Sequence, residues 1–293
     1  DLITRLTTAP LDNSDVPEAS ETLVGQPDDQ CLSLPRLHKL LNCLLRQKST
    51  HVPTLQDTDG IDYRTDQEKA EALNAFFIKQ SSQSAGAGST PSISTQPSSC
   101  KLTAFTATEA AVKEILRRTD ARKSTAPNGP GNRLLHFLSD EITSPLTHIF
   151  KLSLSSRKLP SSWKQATITP VFKRGDRALP GNYRPIALLN SVSKMLERVV
   201  ADQVYQHVDC QLPQAQSGFR RNDGTTLQLS RIVHSLEKAL DSGSTALTCF
   251  FDLSKAFDRV WHQGLLAKMQ HLGIEGPALQ WLKAYLQNRE QRV

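Results

Sequence analysis

A chain of 293 residues and 32.4 kDa with 38% hydrophobic residues has the material for one large domain or two ordinary ones, which excludes wholesale disorder, a collagen-like repeat and a disulfide-stapled mini-scaffold. A mean hydropathy of −0.39 and apolar runs of only a few residues exclude a membrane-spanning helix, which needs roughly 20 apolar residues in a row. The net charge of +6 conceals an asymmetry, since residues 1–100 hold 8 Lys/Arg against 13 Asp/Glu while residues 101–293 hold 27 against 16.

A basic second part behind an acidic leader suits a polyanionic partner, because clustered Lys and Arg gain affinity for phosphates by releasing counterions. The five cysteines, Cys31, Cys43, Cys100, Cys210 and Cys249, form no CxxC pair and have no His at zinc-finger spacing, so free thiols in a reducing compartment are expected. The chain opens on Asp1 without a charged-then-apolar leader. The expectation is therefore a piece of a longer intracellular protein, nuclear or cytoplasmic, that is neither secreted nor membrane-bound.

In chain order, residues 1–30 are polar, acidic and broken by Pro10, Pro17 and Pro27, which predicts a flexible leader. A capping box, Thr65 with Glu68, opens a helix over 65–80 with Ala70, Leu73 and Phe77 on one face. Residues 81–100 are rich in Ser, Gly and Pro and read as a linker. The chain divides on this reading into 1–100, leader with connector helix and linker, and a folded part at 101–293.

The folded part starts with a second capping box, Thr106 with Glu109, ahead of Val112, Ile115 and Leu116 at helical spacing. After the breaker cluster at 127–131, Ser144 and Pro145 predict the cap and first position of a helix through Phe150 and Leu154. The period then changes. Trp163 to Lys173 reads as a strand that Pro170 confines to an edge or a bulge, and Arg174-Gly175-Asp176 as a turn into a second extended stretch at 183–189. Helices are predicted over 191–208, over 225–240 ending at Gly243, through Leu265 to Leu272 with Gly273 as cap, and from Pro277. The run TALTCFFD, 245–252, is short, apolar and β-rich, as a buried central strand would be. The fold class is α+β.

The segment Phe250-Phe251-Asp252-Leu253-Ser254-Lys255-Ala256-Phe257-Asp258-Arg259-Val260-Trp261 sets a carboxylate at the end of that apolar run. A buried charge costs several kcal/mol unless it is paired or binds a metal, roughly, so Asp252 needs a cation or hydrogen-bond donors. Hard carboxylate oxygens suit Mg²⁺. Spacing alone equally allows Asp252 to cap the next helix, and Phe257 to be a core aromatic.

With what precedes it, this segment resembles the reverse transcriptase domain of non-LTR (LINE-type) retrotransposons. Trp163-Lys164-Gln165-Ala166, leading to Thr169-Pro170-Val171-Phe172-Lys173-Arg174-Gly175-Asp176, is similar to the family's first fingers block. Asn182-Tyr183-Arg184-Pro185-Ile186-Ala187-Leu188-Leu189, running on to Lys194 and Glu197, is similar to the second. Gln216-Ser217-Gly218-Phe219-Arg220 resembles the next, and FFDLSKAFDRVWH the first catalytic palm block. Ala284-Tyr285-Leu286 to Val293 resembles the helix-to-strand passage that follows. KSTAPNG, 123–129, resembles an earlier loop, with Asn128 where the family usually has Asp and Thr125-Ala126 where it has Pro-Gly. The helix at 65–80 is faintly similar to the family's connector between endonuclease and polymerase.

The resemblance implies the fingers and part of the palm of a right-hand polymerase, an RNA template and DNA primer with dNTP as partners, and Mg²⁺ or Mn²⁺ as cofactor in two-metal nucleotidyl transfer. It implies that Asp252, and the backbone carbonyl of Leu253, bind metal. Lys173 and Arg184 would hold the incoming triphosphate, Phe257 would exclude a 2′ hydroxyl, and Gln216, Gly218 and Arg220 would shape the template side. Asp258 would be structural. The family's second metal-binding block, Ala followed by two Asp, does not occur, since the sole Asp pair is Asp28-Asp29 in the leader. Glu275 and Glu290 remain as later carboxylates and read as helical. The expectation is a fragment whose active site is incomplete, with a non-catalytic nucleic-acid-binding remnant as the alternative, and whose unpaired 245–252 edge makes it prone to aggregate.

Overall fold

A computed structural model describes residues 52–57, 60–82, 98–127, 129–253 and 255–293. The expected flexible leader and most of the Ser/Gly/Pro-rich stretch lie outside the described residues. Short strands β1 (Leu55–Gln56) and β2 (Asp62–Tyr63) pair antiparallel ahead of helix α1 (Asp66–Ser82). Then come α2 (Glu109–Arg117), α3 (Asn132–Phe137), α4 (Ser139–Ser156), β3 (Gln165–Phe172), β4 (Tyr183–Leu188) and α5 (Ser191–Val208). Helix α6 (Thr225–Asp241), α7 (His262–His271), α8 (Gly276–Leu286) and β5 (Glu290–Arg292) complete the order. Mixed helix and strand fit an α+β polymerase fold. Among the described residues no helix is long and apolar enough to cross a membrane.

The helices α2, α4, α5 and α8 bury one face each in a common core of Val112, Leu116, Leu146, Phe150, Leu196, Val200, Trp281, Leu282 and Tyr285. Trp281 and Tyr285 stack at 5.6 Å, and Phe105 and Phe150 meet Trp281 and Trp163 edge to face. Each such buried side chain contributes roughly 1.5–3 kcal/mol of transfer free energy. The stretch before α2 is tied to the far end of the chain: Leu102 N–H donates to Gly273, Glu275 N–H to Leu102, and Ala278 N–H to Thr103.

A second core lies under the β3–β4 hairpin. Ile168 and Tyr183 point inward to Leu55, Leu73 and Phe77, so α1 forms the floor of the hairpin. The capping box is as the spacing predicts: Glu68 N–H donates to Thr65 Oγ1 at 3.2 Å, and Thr65 N–H to Glu68 Oε2 at 2.9 Å. The Thr65 N–H, with the Arg64 N–H that donates to the same oxygen at 2.9 Å, holds the Glu68 carboxyl below its ordinary range.

Several local expectations need correction. The cap of α2 is Thr108, whose side chain accepts from Ala111 N–H, because Thr106 exchanges hydrogen bonds with Gln203 instead. Helix α4 starts at Ser139, six residues before Pro145, and keeps the proline inside. Its apolar face, Leu146, Phe150 and Leu154, continues the core of α2 and α5, which outweighs the one backbone donor that Pro145 lacks. Strand β3 is the middle strand, order β4-β3-β5, yet β5 pairs only with Gln165 to Thr167. Pro170 therefore has an open edge on that side and faces Pro185 of β4 on the other, where neither can donate. Glu290 lies on β5 and Glu275 precedes α8, so neither is within a helix.

The largest departure concerns 244–253, which forms neither strand nor helix. Leu247, Phe250 and Phe251 are 90%, 85% and 93% exposed. A strand gains over water only when its N–H and C=O groups find a neighbour, and among the described residues no strand pairs with this segment.

Candidate functional site

The hairpin sets its two candidate phosphate-binding cations on one face. Val171 pairs with Arg184 and Phe172 with Tyr183, and Lys173 N–H donates to Asn182 at 2.8 Å. By strand alternation Val171, Lys173 and Arg184 share the outer face while Phe172 and Tyr183 share the inner. Both cations are exposed. The turn between the strands is specific: Gly175 has φ +90, Asp176 Oδ1 accepts from Ala178 N–H at 2.9 Å, and Asn182 Nδ2 donates to Asp176 O at 2.7 Å. A Cβ on Gly175 would lie 3.0 Å from the Asn182 amide, so both the φ and the space favour glycine.

Beside the hairpin base, the loop before α3 docks on the start of α5. Asn190 caps α5 through Val192 N–H at 2.9 Å, and Asn132 Oδ1 accepts from Ser191 Oγ at 2.7 Å. Ala126, Gln165, Thr167, Asn190, Glu290 and Arg292 line a small cavity of about 160 Å³ there. The loop that departs from the family pattern at 125–126 is thus part of the same wall as β3 and β5.

The Gln216 to Arg220 block is held by arginines. Arg220 donates to Asp209 Oδ1 and to its carbonyl at 3.1 Å, and Arg221 stacks on Tyr205 at 4.5 Å. Arg231 donates at 2.7 Å to both Asp223 Oδ2 and Ser217 Oγ. The Arg231 hydrogen bond is the main cause that holds the Asp223 carboxyl below its usual range. Arg220 is therefore turned to its own loop, whereas Gln216 and Gly218 are exposed.

Asp252 and Leu253 lie in the exposed segment, so the desolvation argument for a metal partner does not hold in this arrangement. Among the described residues no group of three or more His, Cys, Asp or Glu gathers as a metal site would require. Asp252 and Leu253 by themselves do not complete a site for a catalytic ion. Asp258 differs: its carboxylate accepts from Gln80 Nε2 of α1. Phe257 meets Phe219 edge to face, centroids 6.1 Å apart, which joins the segment after Asp252 to the Gln216 to Arg220 block. Burial, and then the nearby Arg289, push the His262 imidazole below its ordinary value.

The structure thus sets Lys173 and Arg184 on one face of the hairpin, and brings Phe257 to the loop of Gly218. Among the described residues it gathers Asp252 into no group of three or more His, Cys, Asp or Glu. Sequence reading missed Gln80 and Asn190: an Asn directly ahead of the apolar-periodic run at 191–208 is an N-cap signal that could have found Asn190, whereas only its contacts across the chain reveal Gln80.

The family model "Reverse transcriptase (RNA-dependent DNA polymerase)" matches residues 171–293. The chain is 34% identical over 185 residues to "RNA-directed DNA polymerase from mobile element jockey" of Drosophila funebris, covering 62% of the chain and 20% of that relative. It is 30% identical over 259 residues to "Probable RNA-directed DNA polymerase from transposon X-element" of Drosophila melanogaster, covering 85% of the chain and 28% of the relative. A Pol polyprotein of the type-1 retrotransposable element R2 of Popillia japonica is 28% identical over 155 residues, 53% of the chain and 22% of the relative. The chain spans about a fifth to just over a quarter of the length of these relatives. The chain carries a reverse transcriptase domain of the non-LTR, LINE-type retrotransposon family.

Proposed function

We propose that residues 101–293 serve as the fingers and first catalytic segment of an RNA-directed DNA polymerase, acting on an RNA template, a DNA primer and dNTP. The observation that carries this reading is the placement of Lys173 and Arg184 on one exposed face of the β3–β4 hairpin, Arg184 opposite Val171 and Lys173 opposite Asn182, within a family match that runs on through Asp252. Two exposed cations on a stiff hairpin form an anion site whose geometry is set by strand register. Arg184 would take phosphate oxygens through its fork and Lys173 would add a point charge.

Phe257 would stand beside the nucleotide sugar, steadied by Phe219, and a side chain of its bulk excludes a 2′ hydroxyl by clash. Asp252 is the carboxylate this segment would contribute to a Mg²⁺ or Mn²⁺ ion, with the Leu253 carbonyl beside it. Such an ion would need further ligands beside Asp252. Gln216 and Gly218 would face the template, and Arg220 would hold their loop in shape through Asp209.

The test is Mg²⁺-dependent primer extension on an RNA template by this chain and by a chimera in which residues 52–293 replace the matching stretch of the X-element polymerase. Extension by the chimera that Asp252→Asn abolishes supports the reading. Extension that survives Asp252→Asn refutes the metal role. Template binding with no extension in either protein leaves the non-catalytic nucleic-acid-binding reading.

A further inference from the structure

We propose that Gln80 is a positioning residue for the nucleotide site, a deepening of the reading above that rests on it. The primary amide of Gln80 is engaged at both ends by one turn of the palm block. Its Nε2 donates to Asp258 Oδ2, and its Oε1 accepts from Lys255 Nζ at 2.8 Å. One turn of helix earlier, the Phe76 ring lies 5.2 Å from the same ammonium.

The turn needs such a clasp. Lys255 has φ +55, a left-handed conformation that a non-glycine residue adopts reluctantly, and it closes the turn by accepting from Asp258 and Arg259 N–H at 3.1 and 3.2 Å. Phe257 sits inside this turn, so what holds Lys255 and Asp258 also holds Phe257 against Phe219.

Helix α1 is fixed independently at its other contacts. Leu73 and Phe77 share a core with Ile168 and Tyr183 of the hairpin, and Asn74 Oδ1 accepts from Gln291 Nε2 at 3.1 Å. The hairpin carries Lys173 and Arg184. One helix thus connects the cations that would meet the triphosphate with the aromatic that would meet the sugar, and Gln80 is the joint on the sugar side. Loss of the amide frees Phe257 relative to Lys173 and Arg184 and leaves the core of α1 intact.

The experiment compares wild type, Gln80→Ala, Asp258→Ala and the double variant of the full chain by hydrogen exchange, and the same substitutions with Phe257→Ala in the X-element chimera by primer extension with dNTP and rNTP. Exchange at the amides of 255–261 is expected to rise roughly 3- to 10-fold in either single variant, the range that ordinary hydrogen bonds convert to, and no further in the double. Gln80→Ala is expected to raise KM for dNTP and lower the deoxy-over-ribo preference at unchanged kcat. Unchanged exchange in Gln80→Ala, or additive rises in the double variant, overturns the clasp. Faster exchange with unchanged KM and unchanged preference overturns the positioning role. A preference unaffected by Phe257→Ala overturns the sugar-gate assignment, and the KM for dNTP in Gln80→Ala then decides the positioning role.

Discussion

The rings of Phe219 and Phe257 meet edge to face with centroids 6.1 Å apart, so two blocks far apart in sequence touch through their exposed aromatics. Such a contact is worth about 0.5–1.5 kcal/mol beyond area. Phe219 has φ +63, so its loop is held in shape to present the ring. Phe219→Ala in a polymerase that carries this segment should therefore reproduce part of the loss of deoxy preference expected of Phe257→Ala. Steady-state incorporation of dNTP against rNTP measures it, and an unchanged ratio in Phe219→Ala would show that Phe257 needs no such support.

The parts of this arrangement legible in the sequence are those written in local chemistry. Helix α5 begins and ends where its apolar spacing predicts, and the β3–β4 hairpin follows from a change of period and an Arg-Gly-Asp turn. Pro170 correctly signals an open edge but not a middle strand, because the partial pairing by β5 depends on residues more than a hundred positions away. The run at 245–252 has the composition of a buried strand, but composition says nothing about whether a neighbour is in place. Gln80 was illegible because an amide becomes specific only through the partners it meets.

Gly273 is a position where the backbone demands glycine twice over. Its φ is +88, and a Cβ there would collide with the carbonyl oxygen of Cys100. The chain at 98–103 cannot retreat without breaking its hydrogen bonds to His271, Gly273 and Ala278. Gly273→Ala should destabilise the protein by about 1–3 kcal/mol, the cost of a forced left-handed residue, with the clash in addition. Urea unfolding would check it. A midpoint equal to wild type would mean that the 98–103 segment contributes little to the fold.

The Asp223 carboxyl, held down chiefly by its hydrogen bond from Arg231, gives a signed pH dependence. A carboxyl whose folded value is depressed contributes stability that is present above its ordinary value of 3.8 and disappears as pH falls through the lower folded value. The loop at 212–224 should therefore loosen in acid, as pH falls below 3.8. Asp223→Asn should flatten that part of the profile while leaving the neutral-pH fold intact. Limited proteolysis of the loop across this range, at low salt, would measure it, and equal acid sensitivity in the two proteins would rule the pair out as its source.

The exposed segment at 244–253 should drive self-association of this chain. Leu247, Phe250, Phe251 and Leu253 are between 78% and 93% exposed, and Leu229, Val233 and Leu240 of α6 add an uncovered helical face close by in sequence. The run from Ser244 to Phe251 carries no charge, and its residues favour extended backbone, so strand pairing between copies satisfies the N–H and C=O groups that a lone chain leaves to water. Light scattering of the full chain should rise with concentration. Phe250→Ser combined with Phe251→Lys should suppress the rise without moving the melting transition, because neither ring contributes to a core. Suppression by substitutions at Leu229 and Val233 alone would instead assign the contact to the α6 face, and a scattering signal independent of both would place it elsewhere on the molecule.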